Sequence, residues 1–115
     1  MKKLFGFLGA LVIAFSLTAC GISQKTADKI NEAAKADEHY TTTTLVDEFG
    51  APTMDITILS NGVMIWVNGC DTLEEVEAKW DDGKTVKALV VGIAFGKAIS
   101  ASYDEDFTKD DFSIL

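Results

Sequence analysis

Two cysteines, Cys20 and Cys70, and a single histidine, His39, carry most of the reactive side-chain chemistry in this chain. One histidine cannot build a histidine-rich metal site, nor, at any readable spacing, a triad, so His39 reads as a loop residue. Cys70 stands just past Asn68-Gly69, in an expected turn, with no CxxC partner. A free or half-buried thiol is the plainer reading of it. An intermolecular disulfide or a redox role is the sharper one, and a nucleophile lacks a neighbouring base. Asp104, Asp106 and Thr108 alternate like the start of a calcium loop. Lys109 stands where that loop needs its turn glycine, and Leu115 where it needs its bidentate glutamate, so a solvated acidic tail is the better account. The glycines sit at turns, without a phosphate-cradling pattern. No catalytic residue, cofactor or metal is expected from this inventory, and the chain reads as a non-enzyme.

Cys20 differs from Cys70 in what precedes it. Lys2-Lys3 form a short positive start, and Leu4 to Leu17 form an apolar stretch broken only by glycines and Ser16. A membrane span needs roughly twenty apolar residues, so this length suits the core of a secretory signal better. Leu17-Thr18-Ala19-Cys20 resembles the lipobox of bacterial lipoproteins. The resemblance implies cleavage between Ala19 and Cys20, removal of residues 1–19, and acylation of the Cys20 sulfur. Two or three acyl chains at one point hold a protein far better than the single chain that binds only marginally, at ~0.8 kcal/mol per methylene. By resemblance to the sorting rule of double-membraned bacteria, Gly21 in place of aspartate permits export to the outer membrane. A plain secretory signal with a chance cysteine, or an uncleaved anchor, is the alternative.

Removal of 19 residues from 115 leaves a chain long enough for one small domain with one core. Ten basic residues face eighteen acidic ones, a net charge of −8 that becomes about −10 once Lys2 and Lys3 are gone. Such a surface repels phosphate backbones, which argues against nucleic acid and against unassisted docking on anionic lipid. Membrane attachment is therefore expected through the lipid on Cys20.

The elements that would position these residues follow from periodicity and turn chemistry. Residues 20–36 are expected to be a lipidated start followed by a helix capped by Ser23, with Ala27, Ile30 and Ala34 on a thin stripe. Residues 37–102 are expected to be the folded domain. A short helix enters at Thr41 to Thr44, buries Leu45, Val46 and Phe49, and stops at Gly50 before Pro52. Strands are expected over Asp55–Leu59 and Val63–Val67 with Asn61-Gly62 as their turn, and over Val86–Val91. The alternation of Val76, Ala78 and Trp80 against Glu75, Glu77 and Lys79 predicts another strand over Leu73–Trp80, closed by Asp82-Gly83. Residues 103–115 read as an acidic, mobile tail.

Three phrases carry a family resemblance. Leu45-Val46-Asp47-Glu48-Phe49-Gly50-Ala51-Pro52 resembles the "helix, then Gly-x-Pro" step of the SmpA/OmlA (BamE-like) and beta-lactamase-inhibitor-protein-like small lipoproteins. Ile65-Trp66-Val67 resembles their aromatic first strand, and Val76 to Lys84 their alternating strand with an Asp-Gly-Lys turn. The resemblance spans about Asp28 to Lys97. Where that family has a Gly-Met-Thr entry to its second helix, this chain has the threonine run. The fold it implies is α+β, two N-terminal helices packed on a three-stranded antiparallel meander. The function it implies is a lipid-anchored, non-enzymatic envelope lipoprotein that binds or stabilises another envelope protein. A lipid-anchored inhibitor or ligand-binding protein, using the exposed sheet face or the Asn61-Gly62 and Asn68-Gly69 loops against an extracellular enzyme, is the alternative. Trp66 and Trp80 belong by default to the core of the sheet. Either one, if exposed beside Tyr103, would be a natural anchor for a partner.

Overall fold

Ser23 and Thr41 begin two helices by the same device. In each, the backbone N–H of the capping residue donates to a threonine hydroxyl three residues on, Thr26 at 3.1 Å and Thr44 at 2.7 Å. The computed structural model describes residues 22–115; the expected signal segment 1–19, its cleavage point at Ala19–Cys20, the expected lipid site Cys20 and Gly21 lie outside them. The elements in chain order are α1 (Gln24–Lys35), α2 (Thr42–Phe49), β1 (Met54–Ile58), β2 (Asn61–Val67), α3 (Leu73–Asp81), β3 (Val86–Ala94), β4 (Lys97–Phe107) and α4 (Lys109–Ser113). The fold is α+β, with four helices among the described residues and one antiparallel sheet in the order β1-β2-β3-β4.

Side chains alternate across a strand, and here both faces of the sheet are used. On the first face Met64, Trp66, Leu89, Val91, Ile93 and Ala98 bury against Ala27 and Ile30 of α1 and Leu45 of α2. On the second face Met54, Ile65, Val67, Val86, Ala88 and Phe107 bury against Val76 of α3, with Trp80 and Phe112 beside them. Coverage on both sides explains why β2 and β3 read as nearly unbroken apolar runs.

Leu73–Trp80 is not a strand but the helix α3. Thr72 caps it by accepting from the Glu75 N–H at 3.2 Å, Glu74 and Glu75 stand in its first turn, Lys79 in its last, and Gly83 follows at φ 78°. The segment that resembled an alternating strand with an Asp-Gly-Lys turn is therefore a helix with its stop. The sheet has four strands rather than three, because residues 97–107 form β4, the longest of them. No free tail begins at Tyr103: β4 continues to Phe107, and α4 folds Phe112 onto Trp80 at 5.8 Å between ring centroids. The two phenylalanines supply the burial that the surrounding carboxylates conceal in the sequence.

Candidate functional site

Sheet edges are the usual sticky surface of such a fold; here the β4 edge is covered in part by α1, and the β1 edge is guarded by a charge. Along β4, the Asn31 amide of α1 acts as a strand substitute. Its Nδ2 donates to the Ala101 carbonyl at 2.8 Å, and its Oδ1 accepts from the Ala101 N–H at 2.9 Å. Nearby the Ala98 N–H donates to the Tyr40 carbonyl at 2.7 Å. Along β1, Ile58, Ile56 and Met54 pair with β2, which turns the backbone groups of Asp55 and Thr57 outward. The Asp55 carboxylate accepts from the Thr57 N–H and hydroxyl, at 3.2 and 2.6 Å, and leaves a charge on that edge.

The second face is closed at one end only. α3 and α4 cover the rows built on Val67, Ala88 and Phe107. Toward the hairpin turns cover fades. Ile56 pairs with Val63 and Val63 with Gly92, and this row is partly or largely in water. Ile99 leans over Gly92 from β4 and is itself exposed. A side chain at Gly92 would meet the Ser100 hydroxyl at 2.8 Å, so the glycine keeps this part of the sheet shallow. Beyond the row the β1–β2 turn carries Ile58 and Leu59, 76% and 90% exposed, and the β3–β4 turn carries Phe95, 87% exposed. The Gly96 N–H donates to the Ser60 carbonyl at 2.9 Å and the Phe95 N–H to Asn61 Oδ1 at 3.0 Å, tying the turns into one unit. An apolar strip that ends in two exposed tips is what a contact surface looks like.

The residues singled out from sequence lie elsewhere. Trp66 is 4% exposed in the first core, its indole N–H donating to the Gly50 carbonyl at 2.9 Å, so it is not a surface anchor. Trp80 belongs to α3, half-buried, with its indole N–H on the Phe107 carbonyl at 3.2 Å. Tyr103 is partly buried on the first face, its hydroxyl accepting from Asn68 Nδ2 at 3.1 Å. The three do not form a patch. Cys70 is buried, and burial pushes its thiol above the ordinary range, so it stays protonated and shielded from a partner's thiol. His39 stands in the loop before α2, 3.6 Å from the Asp37 carboxylate. Asp104 and Asp106 lie on β4, Thr108 caps α4, and the Asp104 and Asp111 carboxylates accept backbone N–H groups of Asp106 and Thr108. Asn61-Gly62 and Asn68-Gly69 stand at opposite ends of β2, roughly 20 Å apart at 3.3 Å per residue, so they share no surface.

Among the described residues no group of three or more His, Cys, Asp or Glu side chains is placed to hold a metal ion. A shallow hollow of about 370 Å³ between α2 and β1, lined by Thr42, Thr43, Val46, Asp47, Asp55 and Met64, is open and brings no nucleophile to a base. No helix of the described residues is long and apolar enough to cross a membrane. Comparison with protein-family models, with curated proteins and with solved structures finds no match.

Proposed function

We propose that this chain is a lipid-anchored, non-enzymatic envelope lipoprotein, tethered through Cys20 after loss of residues 1–19, whose domain binds or stabilises another envelope protein. The observation that carries the contact half of this reading is the uncovered half of the second sheet face, with Ile56 and Ile99 exposed and Val63 and Gly92 partly so. Partner surfaces are built on apolar, shape-complementary cores, and a flat strip with a glycine at its middle admits close approach. The Leu17-Thr18-Ala19-Cys20 sequence supports the tether. The partner contact is expected to survive mild detergent.

Replacement of Ile56 and Ile99 by aspartate puts two charges into this surface without touching either core. The full chain is expected to co-purify with a partner from detergent-solubilised membranes. The Ile56→Asp/Ile99→Asp variant is expected to lose it by at least about tenfold, with thermal unfolding unchanged, since two central apolar contacts carry about 1–2 kcal/mol each or more. Equal recovery with the variant, or no partner with the unaltered chain, contradicts the proposal.

A further inference from the structure

We propose that the two hairpin tips, Leu59 in the β1–β2 turn and Phe95 in the β3–β4 turn, dip into the interfacial layer of a phospholipid bilayer and set the orientation of the domain on the membrane. The inference rests on the membrane placement proposed above and adds a second point of contact to it.

The backbone is the first support. Leu59 and Phe95 have φ of 53° and 54°, the left-handed region that bulky side chains rarely adopt and that glycine or asparagine takes at little cost. At both tips the chain holds a large apolar side chain in that conformation, almost fully in water. Neither strain nor exposure is repaid within the domain, the pattern expected of a site that acts outward.

The second support is rigidity. Gly96 bonds to Ser60, Phe95 to Asn61, and the Thr42 N–H donates to the Gly96 carbonyl at 3.1 Å. The tips stand as one preformed unit, with little backbone ordering left to do on contact.

Charge is the third. In a chain with eighteen acidic residues, residues 56–70 carry no charge and residues 88–103 carry only Lys97. The carboxylates beside these hairpins are Asp47 and Asp55, which line the hollow between α2 and β1, and Asp37 and Glu38 in the exposed loop whose Tyr40 and Thr42 bond to Ala98 and Gly96, where Lys35 and Lys97 balance them. The runs at 71–82 and 104–111 stand at the far end of the sheet, where Ala88 pairs with Asp104 and Val86 with Phe107. The tips themselves are thus apolar and the charges near the Phe95 turn, Lys35 and Lys97 against Asp37 and Glu38, are balanced, while the other end is strongly acidic. An anionic bilayer repels the second and admits the first, whose gain on contact is apolar burial rather than charge. Two exposed apolar side chains on a rigid turn suit a soft apolar layer, the boundary in which amphipathic helices bury their apolar faces about 5–10 Å deep.

The test uses the full chain processed in its host, carrying Cys70→Ala, with an environment-sensitive fluorophore on Phe95→Cys or, as control, on Asp106→Cys. The protein is reconstituted on vesicles of phosphatidylethanolamine and phosphatidylglycerol, and intact mass reports acylation of Cys20 in the same sample. The expected result is a blue shift and quenching by nitroxide-labelled lipid at position 95, neither at position 106, and loss of the shift when Leu59→Asp is added. An aqueous signal at position 95 on an acylated, vesicle-bound chain overturns the tip insertion and leaves the tether standing. A shift at position 95 on an unacylated chain supports the tips and overturns the tether. A shift seen only when membrane proteins are present assigns the tips to a protein and overturns the proposal.

Discussion

Leu59 and Phe95 occupy backbone conformations in which their own side chains are a burden to the fold. Asparagine is several-fold enriched at such positions, so Leu59→Asn and Phe95→Asn should each stabilise the domain by about 0.5–1 kcal/mol. In a domain of this size that is a rise of roughly 2–8 °C in thermal midpoint, measurable by circular dichroism. A lower midpoint would show that the tips are packed rather than offered. The sequence points instead to Asn61-Gly62 as the turn. That dipeptide is displaced by two residues because Gly62 serves close approach: a Cβ there would lie 2.0 Å from the Ile56 carbonyl oxygen. Cys70 carries a second prediction at this scale. Burial raises its thiol above the ordinary 9.0, and unfolding returns it there. Within that window the unfolded chain has released a proton that the folded chain retains. Stability is therefore fully present below pH 9.0 and falls as pH rises. Tyr40, raised chiefly by burial, adds the same sign from 10.0 upward. Urea unfolding on either side of pH 9.0 should show the fall, and Cys70→Ala should postpone it. An unchanged onset would remove Cys70 as the cause.

At the scale of elements, α3 shows what periodicity misreads. The alternation rested on Val76, Ala78 and Trp80, yet Ala78 is exposed, while Leu73, Val76 and Trp80 recur at the three- and four-residue spacing of a helix. The cap at Thr72 with Glu75, the acidic first turn and Gly83 were all legible and point the same way. Terminal signals decide between periods when a segment is short. The two N-terminal helices, by contrast, carried caps that agreed, and they form where the sequence implies, although Val46, expected on the buried side, is 38% exposed beside the hollow at β1. What no local pattern contains is the pairing of Asn31 with Ala101, 70 residues apart. Asn31→Ala leaves a half-buried N–H and carbonyl without partners, so it should cost about 1–3 kcal/mol. It should also free the β4 edge and promote self-association, visible by sedimentation. A variant of unchanged stability would mean that water replaces the amide without loss.

The whole molecule divides its surfaces by job. One face of the sheet is covered by α1 and α2 except for a shallow hollow toward β1, the other is half covered by α3 and α4, and the long acidic runs stand at the end opposite the hairpin turns. The candidate surface was not legible in the sequence, because Ile56, Val63 and Ile99 look like any core residues until the extent of α3 and α4 is known. The acidic balance was legible, because it is carried by residue counts alone. Site-specific photo-crosslinking in intact cells tests the proposed partner contact most directly, with the crosslinker placed in turn at Ile99 on the bare face and at Glu105 on the acidic far end. The account predicts one discrete protein adduct from position 99, found in the membrane fraction, and none from position 105. Adducts of equal yield from both positions, or none from position 99, would contradict it.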